Sequence, residues 1–223
     1  MTVTIRDDLV QAHRLAWEHV ASPGTWWTAA QRVELAETIL TALFDDEPLP
    51  PWVPASDDDR TTVDAAPAVA HDFVYRLARH AGTVTESVHD SVVGEVDSLP
   101  YVELVALTST VAAVAHFHRN VGAELAPFPA PVEGEPTREH PELADAQLNW
   151  VPVAAPADQT AAVLQAYSGV PAEYDNTWRM AAAQYIPNEE MVHPDWSRGP
   201  DSLTRPQIEL VAARVAQQRD CFY

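Results

Sequence analysis

The chain has 223 residues, 47% of them apolar, enough to bury one large core or two smaller ones. Its 33 acidic residues stand against 13 arginines and no lysine, and the formal charge of -20 repels phosphate backbones and anionic lipid, which argues against nucleic-acid or membrane-surface partners. A single cysteine, Cys221, cannot form an internal disulfide, and Met1 to Val20 lacks the apolar run of a signal peptide, so a cytoplasmic home is expected.

Apolar positions recur at spacings of three and four, with no sustained alternation, which predicts an all-α fold. The first helix is expected from Asp8 to Val20, with Leu9, Ala12, Leu15, Ala16 and His19 on one face, ended by Ser22-Pro23-Gly24. Thr28 caps a second helix to about Phe44. Asp45 to Thr62, with prolines and clustered aspartates around Trp52, reads as a mobile surface linker. Helices follow over Pro67 to Ala81, Thr85 to Val96 and Ser98 to about Asn120, the last stopped by Gly122. Its most apolar part, Val102 to Phe117, is interrupted by Glu103, three hydroxyl residues and His116, and reads as too short to cross a bilayer. Five prolines between Pro127 and Pro141 forbid helix and strand and describe an extended connector. Asp158 to Tyr167, Asn176 to Tyr185 and Arg205 to about Arg219 are the remaining helices.

One segment occurs twice, as Ser98-Leu-Pro-Tyr-Val-Glu103-Leu-Val-Ala and as Thr204-Arg-Pro-Gln-Ile-Glu209-Leu-Val-Ala, with a fainter copy at Thr28 to Ala36. Ser98 and Thr204 read as N-caps, and Gln207 completes a capping box with Thr204. Ile208, Val211, Ala212 and Val215 make the expected buried stripe. Glu209 beside that stripe is either on a solvated edge or held inside by a partner, and spacing favours the edge. These units suggest an N-terminal half (1–122), a Pro-rich connector (123–157) and a C-terminal half (158–223).

The step of twelve residues from Glu209 to Cys221, after a capped Leu-Thr-x-x-x-x-Glu-Leu-Val-Ala helix, resembles the AhpD-like branch of the carboxymuconolactone decarboxylase superfamily. Ala12-His13-Arg14, Pro23-Gly24-Thr25-Trp26-Trp27, Tyr101 to Gly122, Pro129 to Pro136 and Trp150-Val-Pro are similar to two-repeat, alkylhydroperoxidase-related members. The resemblance implies an AhpD-like helical fold with two degenerate halves, a redox-active cysteine pair, and a glutamate and histidine that relay protons to the thiol. By position Glu209 is the relay acid and Cys221 the first cysteine, with Asp220 as N-cap of a following helix. The second cysteine would lie three residues on, past Tyr223. In the central copy Glu103 is retained, Ala115 and His118 stand at the two cysteine places, and His116 lies between them, a degenerate second site. Two histidines two apart on a helix diverge by about 200°, so His116 and His118 are not expected to chelate a metal. Neither cofactor nor metal is expected.

Three functions remain open on this basis. One is a thiol peroxidase or disulfide reductase, active only in a chain that continues past Tyr223 and served by a dithiol reductant. Another is a non-enzymatic structural or binding member of the same fold. The third is a cysteine-independent lactone decarboxylase using Glu103 or His116. A homo-oligomer, dimer or trimer, is implied by the resemblance in each case.

Overall fold

The computed structural model describes residues 3–54, 65–144, 150–154, 162–218 and 221. Among these, eight α-helices run in the order α1 (Asp7–Val20), α2 (Ala29–Leu43), α3 (Ala68–Arg79), α4 (Glu86–Val96), α5 (Ser98–Val121), α6 (Ala162–Gln165), α7 (Pro171–Gln184) and α8 (Arg205–Gln218). The all-α class holds, and the one extended pairing among the described residues is an isolated bridge between Ala144 and Val153.

Local chemistry sets most helix ends where the spacing places them. Thr28 and Gln31 exchange the two hydrogen bonds of a capping box at the start of α2. Gly122, at φ 66°, closes α5 in the left-handed conformation that a side chain disfavours. Ser98 is not a cap: Asp97 turns the chain at φ 69°, and α5 begins at Ser98 itself without a side-chain cap. At α8 the Thr204 hydroxyl donates to Gln207 Oε1, which also accepts from the Thr204 N–H, so only half of the expected box forms.

Helix α5 is apolar nearly all round and is therefore the helix the others surround. It packs against α2, α3, α4 and α7, with Leu104, Leu107 and Val111 in the centre of the core. Its length and composition would suit a membrane crossing, but most of it is buried within the bundle. Thr108 Oγ1 donates to the Leu104 carbonyl and Thr110 accepts from Asn176 Nδ2 of α7, so the hydroxyls in this core are paired. Met180 and Ala183 of α7, with Val170 just before it, join the same core as α1 to α5.

The Pro-rich connector lies extended across the α1–α2 turn, as its composition requires. Val132, Thr137 and Arg138 donate backbone N–H groups to the carbonyls of Ala21, Gly24 and Thr25. Trp52, in the segment expected to be mobile, packs against the core instead, and Arg76 and Arg79 hold that segment by donating to the carbonyls of Pro50 and Glu47. The rest of that linker, the start of the helix expected from Asp158, and Asp220 lie outside the described residues.

The repeated segments do not become equivalent elements. The first copy opens a 24-residue core helix, the second a 14-residue helix with no buried residue. The stripe expected on α8 is not buried: Val211 and Val215 are more than half exposed and Leu210 more so. Helical spacing gathers apolar residues on one side, but burial needs an opposing surface, and no described element covers this one.

Candidate functional site

Glu103 is fully buried, at a junction of four helices. Its partner is Arg32 of α2, also fully buried, whose Nη1 donates to Glu103 Oε1 and, at 2.7 Å, to Glu173 Oε1 of α7. The other edge of the guanidinium reaches the carbonyls of His19 (3.2 Å) and Val20 (3.4 Å), the negative end of α1. His19 Nε2 donates to Glu173 Oε1 at 2.9 Å, and the Trp26 N–H donates to Glu103 Oε2 at 2.8 Å. One guanidinium cannot neutralise two buried carboxylates equally. Burial, only partly offset by Arg32 and reinforced by the Glu173 charge, holds the Glu103 carboxyl above its ordinary pKa. Glu173 is just as buried, yet Arg32 and His19 draw it down to about 2. The two titrate as a unit in which Glu103 takes the first proton. Such a knot joins helices, and Glu103 within it has no solvent exposure.

Glu209 has the opposite surroundings. It accepts from Tyr185 Oη and from Arg205 Nε, both at 2.5 Å, on the half-exposed flank of α8. The Tyr185 bond, followed by Arg205, holds its carboxyl below the usual range, whereas burial and the same bond push Tyr185 up to about 12. A carboxylate so held is a weak base. Cys221 is exposed beyond the end of α8, where its N–H donates to the Ala216 carbonyl. From Glu209 to Ala216 the helix advances seven residues, about 10 Å. The thiol and the expected relay acid are therefore not brought together. The third acid of the repeat, Glu34, lies 3.1 Å from His71 Nε2 and accepts from the Ala66 N–H, linking α2 to the start of α3.

His116 and His118 diverge, as their spacing requires. His116 faces the Phe44 ring and lines a groove of about 570 Å³ with Leu43, His80 and Val215. His118 instead meets His13 of α1, with Nε2 3.2 Å from His13 Nδ1. Gln184 Nε2 donates to His13 Nε2, and His118 Nδ1 donates to the Glu124 carbonyl, so a one-way chain of bonds accommodates both rings as neutral imidazoles. All four ring nitrogens are used, which leaves no lone pair for catalysis. Burial, then the nearby His118, lowers the His13 pKa to about 4.

Because the unfolded value lies near 6.5, the folded protein resists protonating His13 between the two. The neutral relay's contribution is present above pH 6.5 and is lost as pH falls toward 4, up to about 3 kcal/mol. In urea titrations at pH 7, 5.5 and 4, the stability gap between wild type and His13→Gln is expected to narrow steadily with acidification. A gap independent of pH would refute the neutral relay.

Among the described residues, no three His, Cys, Asp or Glu side chains are placed to hold a metal ion. No family model, curated protein or solved structure matches the chain.

Arg32, Glu173, His13 and His19 were missed as partners in the sequence. The readable trace of the first was an arginine sharing helical spacing with Leu35, Ala36 and Ile39, the buried face of α2. For Glu173 and the histidines no local trace exists, because each partner lies 105 or more residues away.

Proposed function

We propose that the chain descends from AhpD-like thiol peroxidases and disulfide reductases, and that α8 carries the first part of such a thiol centre without turning over peroxide on its own. The separation of Glu209, in the second turn of α8, from Cys221, which lies past the helix end at Gln218, carries this conclusion. The thiolate would take the terminal oxygen of a hydroperoxide, releasing an alcohol and leaving a sulfenic acid. Residues 1–223 hold one cysteine, so no second thiol among them can condense with it and release water.

With peroxide and a dithiol donor, residues 1–223 are expected to consume peroxide no faster than Cys221→Ser, while the exposed Cys221 is open to alkylation. Turnover that depends on Cys221 would overturn the absence of a cycle. A lengthened chain with a cysteine three residues after Cys221 and a histidine beyond is expected to gain turnover. No gain would remove the thiol lineage.

A second reading, a binding member of the same fold, is favoured by the use of Glu103 in joining helices and by cavities lined with aromatic and apolar side chains elsewhere in the bundle. The uncovered Leu210, Val211 and Val215 support association of copies through α8.

A further inference from the structure

Between α4, α5 and the segments at 150–151 and 166–167 lies a cavity of about 290 Å³, walled by His89, Tyr101, Val105, Trp150 and Tyr167. His89 is the one imidazole among its described walls and is only 7% exposed. Its Nδ1 lies 2.9 Å from Asp90 Oδ1. A carboxylate there is an acceptor, so Nδ1 carries the hydrogen, and in the neutral imidazole Nε2 presents a bare lone pair. That Nε2 is buried and has no hydrogen-bond partner among the described residues. A buried acceptor left unsatisfied is a cost to the fold that a donor entering the cavity would remove.

The walls narrow the chemistry of that donor. The Tyr101 ring meets His89 edge-on, with centroids 5.0 Å apart and planes at 85°, and the Trp150 ring lies 5.4 Å from the imidazole. Trp150 is half exposed and forms the rim. These faces suit a flat ring. Among the described residues no arginine or carboxylate lines the cavity, so its described walls offer neither an anion nor a cation a counter-charge. Burial pushes Tyr101 up to about 12 and raises Tyr167 as well, consistent with a site that disfavours charge. An apolar cavity of about 150 Å³ takes benzene, so this one has room for one or two rings.

We infer that this cavity binds a neutral, flat aromatic alcohol of one or two rings, with its hydroxyl donating to His89 Nε2 and its ring held among Tyr101, Trp150 and Tyr167. The site uses no residue of α8 and stands apart from the thiol lineage.

Calorimetric titration of the full chain with 2-naphthol and with 2-methoxynaphthalene tests it, because the ether keeps the ring and lacks the donor. Expected are saturable one-to-one binding of the naphthol, at least tenfold weaker binding of the ether, and a change in the His89 Nε2 nitrogen shift on adding naphthol alone. His89→Phe, which removes the orphaned acceptor and keeps a ring, is expected to bind both equally; Trp150→Ala is expected to weaken both. The inference is overturned by absence of saturable naphthol binding, by equal binding of the ether to the wild type, or by an unmoved His89 nitrogen shift. Tighter binding of tetramethylammonium than of naphthol would overturn it in favour of a cation cage. The nitrogen shift and the ligand pair need only the wild-type protein, so a misfolded variant leaves the test intact.

Discussion

Arg32→Met is expected to cost about 4 kcal/mol of folding stability, in the range for breaking a buried ion pair by removing one partner. The guanidinium is wholly enclosed and donates to two carboxylates and two main-chain carbonyls. Without it, Glu103 and Glu173 face each other with no buried cation except what His19 supplies, and the last turn of α1 loses two donors. A domain of this size has roughly 5–15 kcal/mol in total, so the variant should sit near the edge of folding. Urea denaturation at pH 7 measures the loss, and a change under 1 kcal/mol would show that the knot is incidental. Changing Arg32, Glu103 and Glu173 together to Met, Leu and Leu is expected to recover most of the stability, because well-packed apolar groups often replace a buried ionic cluster at no net cost.

Gly24→Ala is expected to destabilise the protein by about 3 kcal/mol, the upper end for overpacking a filled site. A Cβ at this position would lie 1.8 Å from Glu103 Oε1 and 2.7 Å from Arg32 Nη1. The carboxylate cannot swing away without breaking its bond from the Trp26 N–H. The glycine is thus required by the close approach of the carboxylate to the main chain. Gly94→Ala is the control: it is exposed on α4 with nothing within 4 Å of the new methyl, and alanine there is expected to stabilise by about 0.5–1 kcal/mol. Equal effects at the two positions would contradict the steric account. Thermal unfolding of both variants beside wild type decides it.

The three acids of the repeated segment show how far local spacing reaches. Glu34, Glu103 and Glu209 each precede a Leu, yet one bridges to α3, one is sealed in the core and one lies on an open flank. The edge expected for Glu209 was correct for that copy. For Glu103 the difference came from Arg32 and Glu173, which approach from α2 and α7. His13 and His19, both on α1, found their partners in His118 and Glu173 through the same long-range packing. The orphaned Nε2 of His89 had no sequence trace either, since it arises from which atoms do not arrive.

By itself the chain order of residues determined the helical class, the capping box at Thr28, the left-handed stop at Gly122 and the extended path of the Pro-rich connector, because each depends on dihedral preferences and hydrogen bonds within a few neighbours. Only tertiary packing decided which acid is buried, which histidines pair, and that the apolar side of α8 meets no covering element among the described residues. Burial and ion pairing belong to two surfaces brought together, and a segment can state only its own half of that contact.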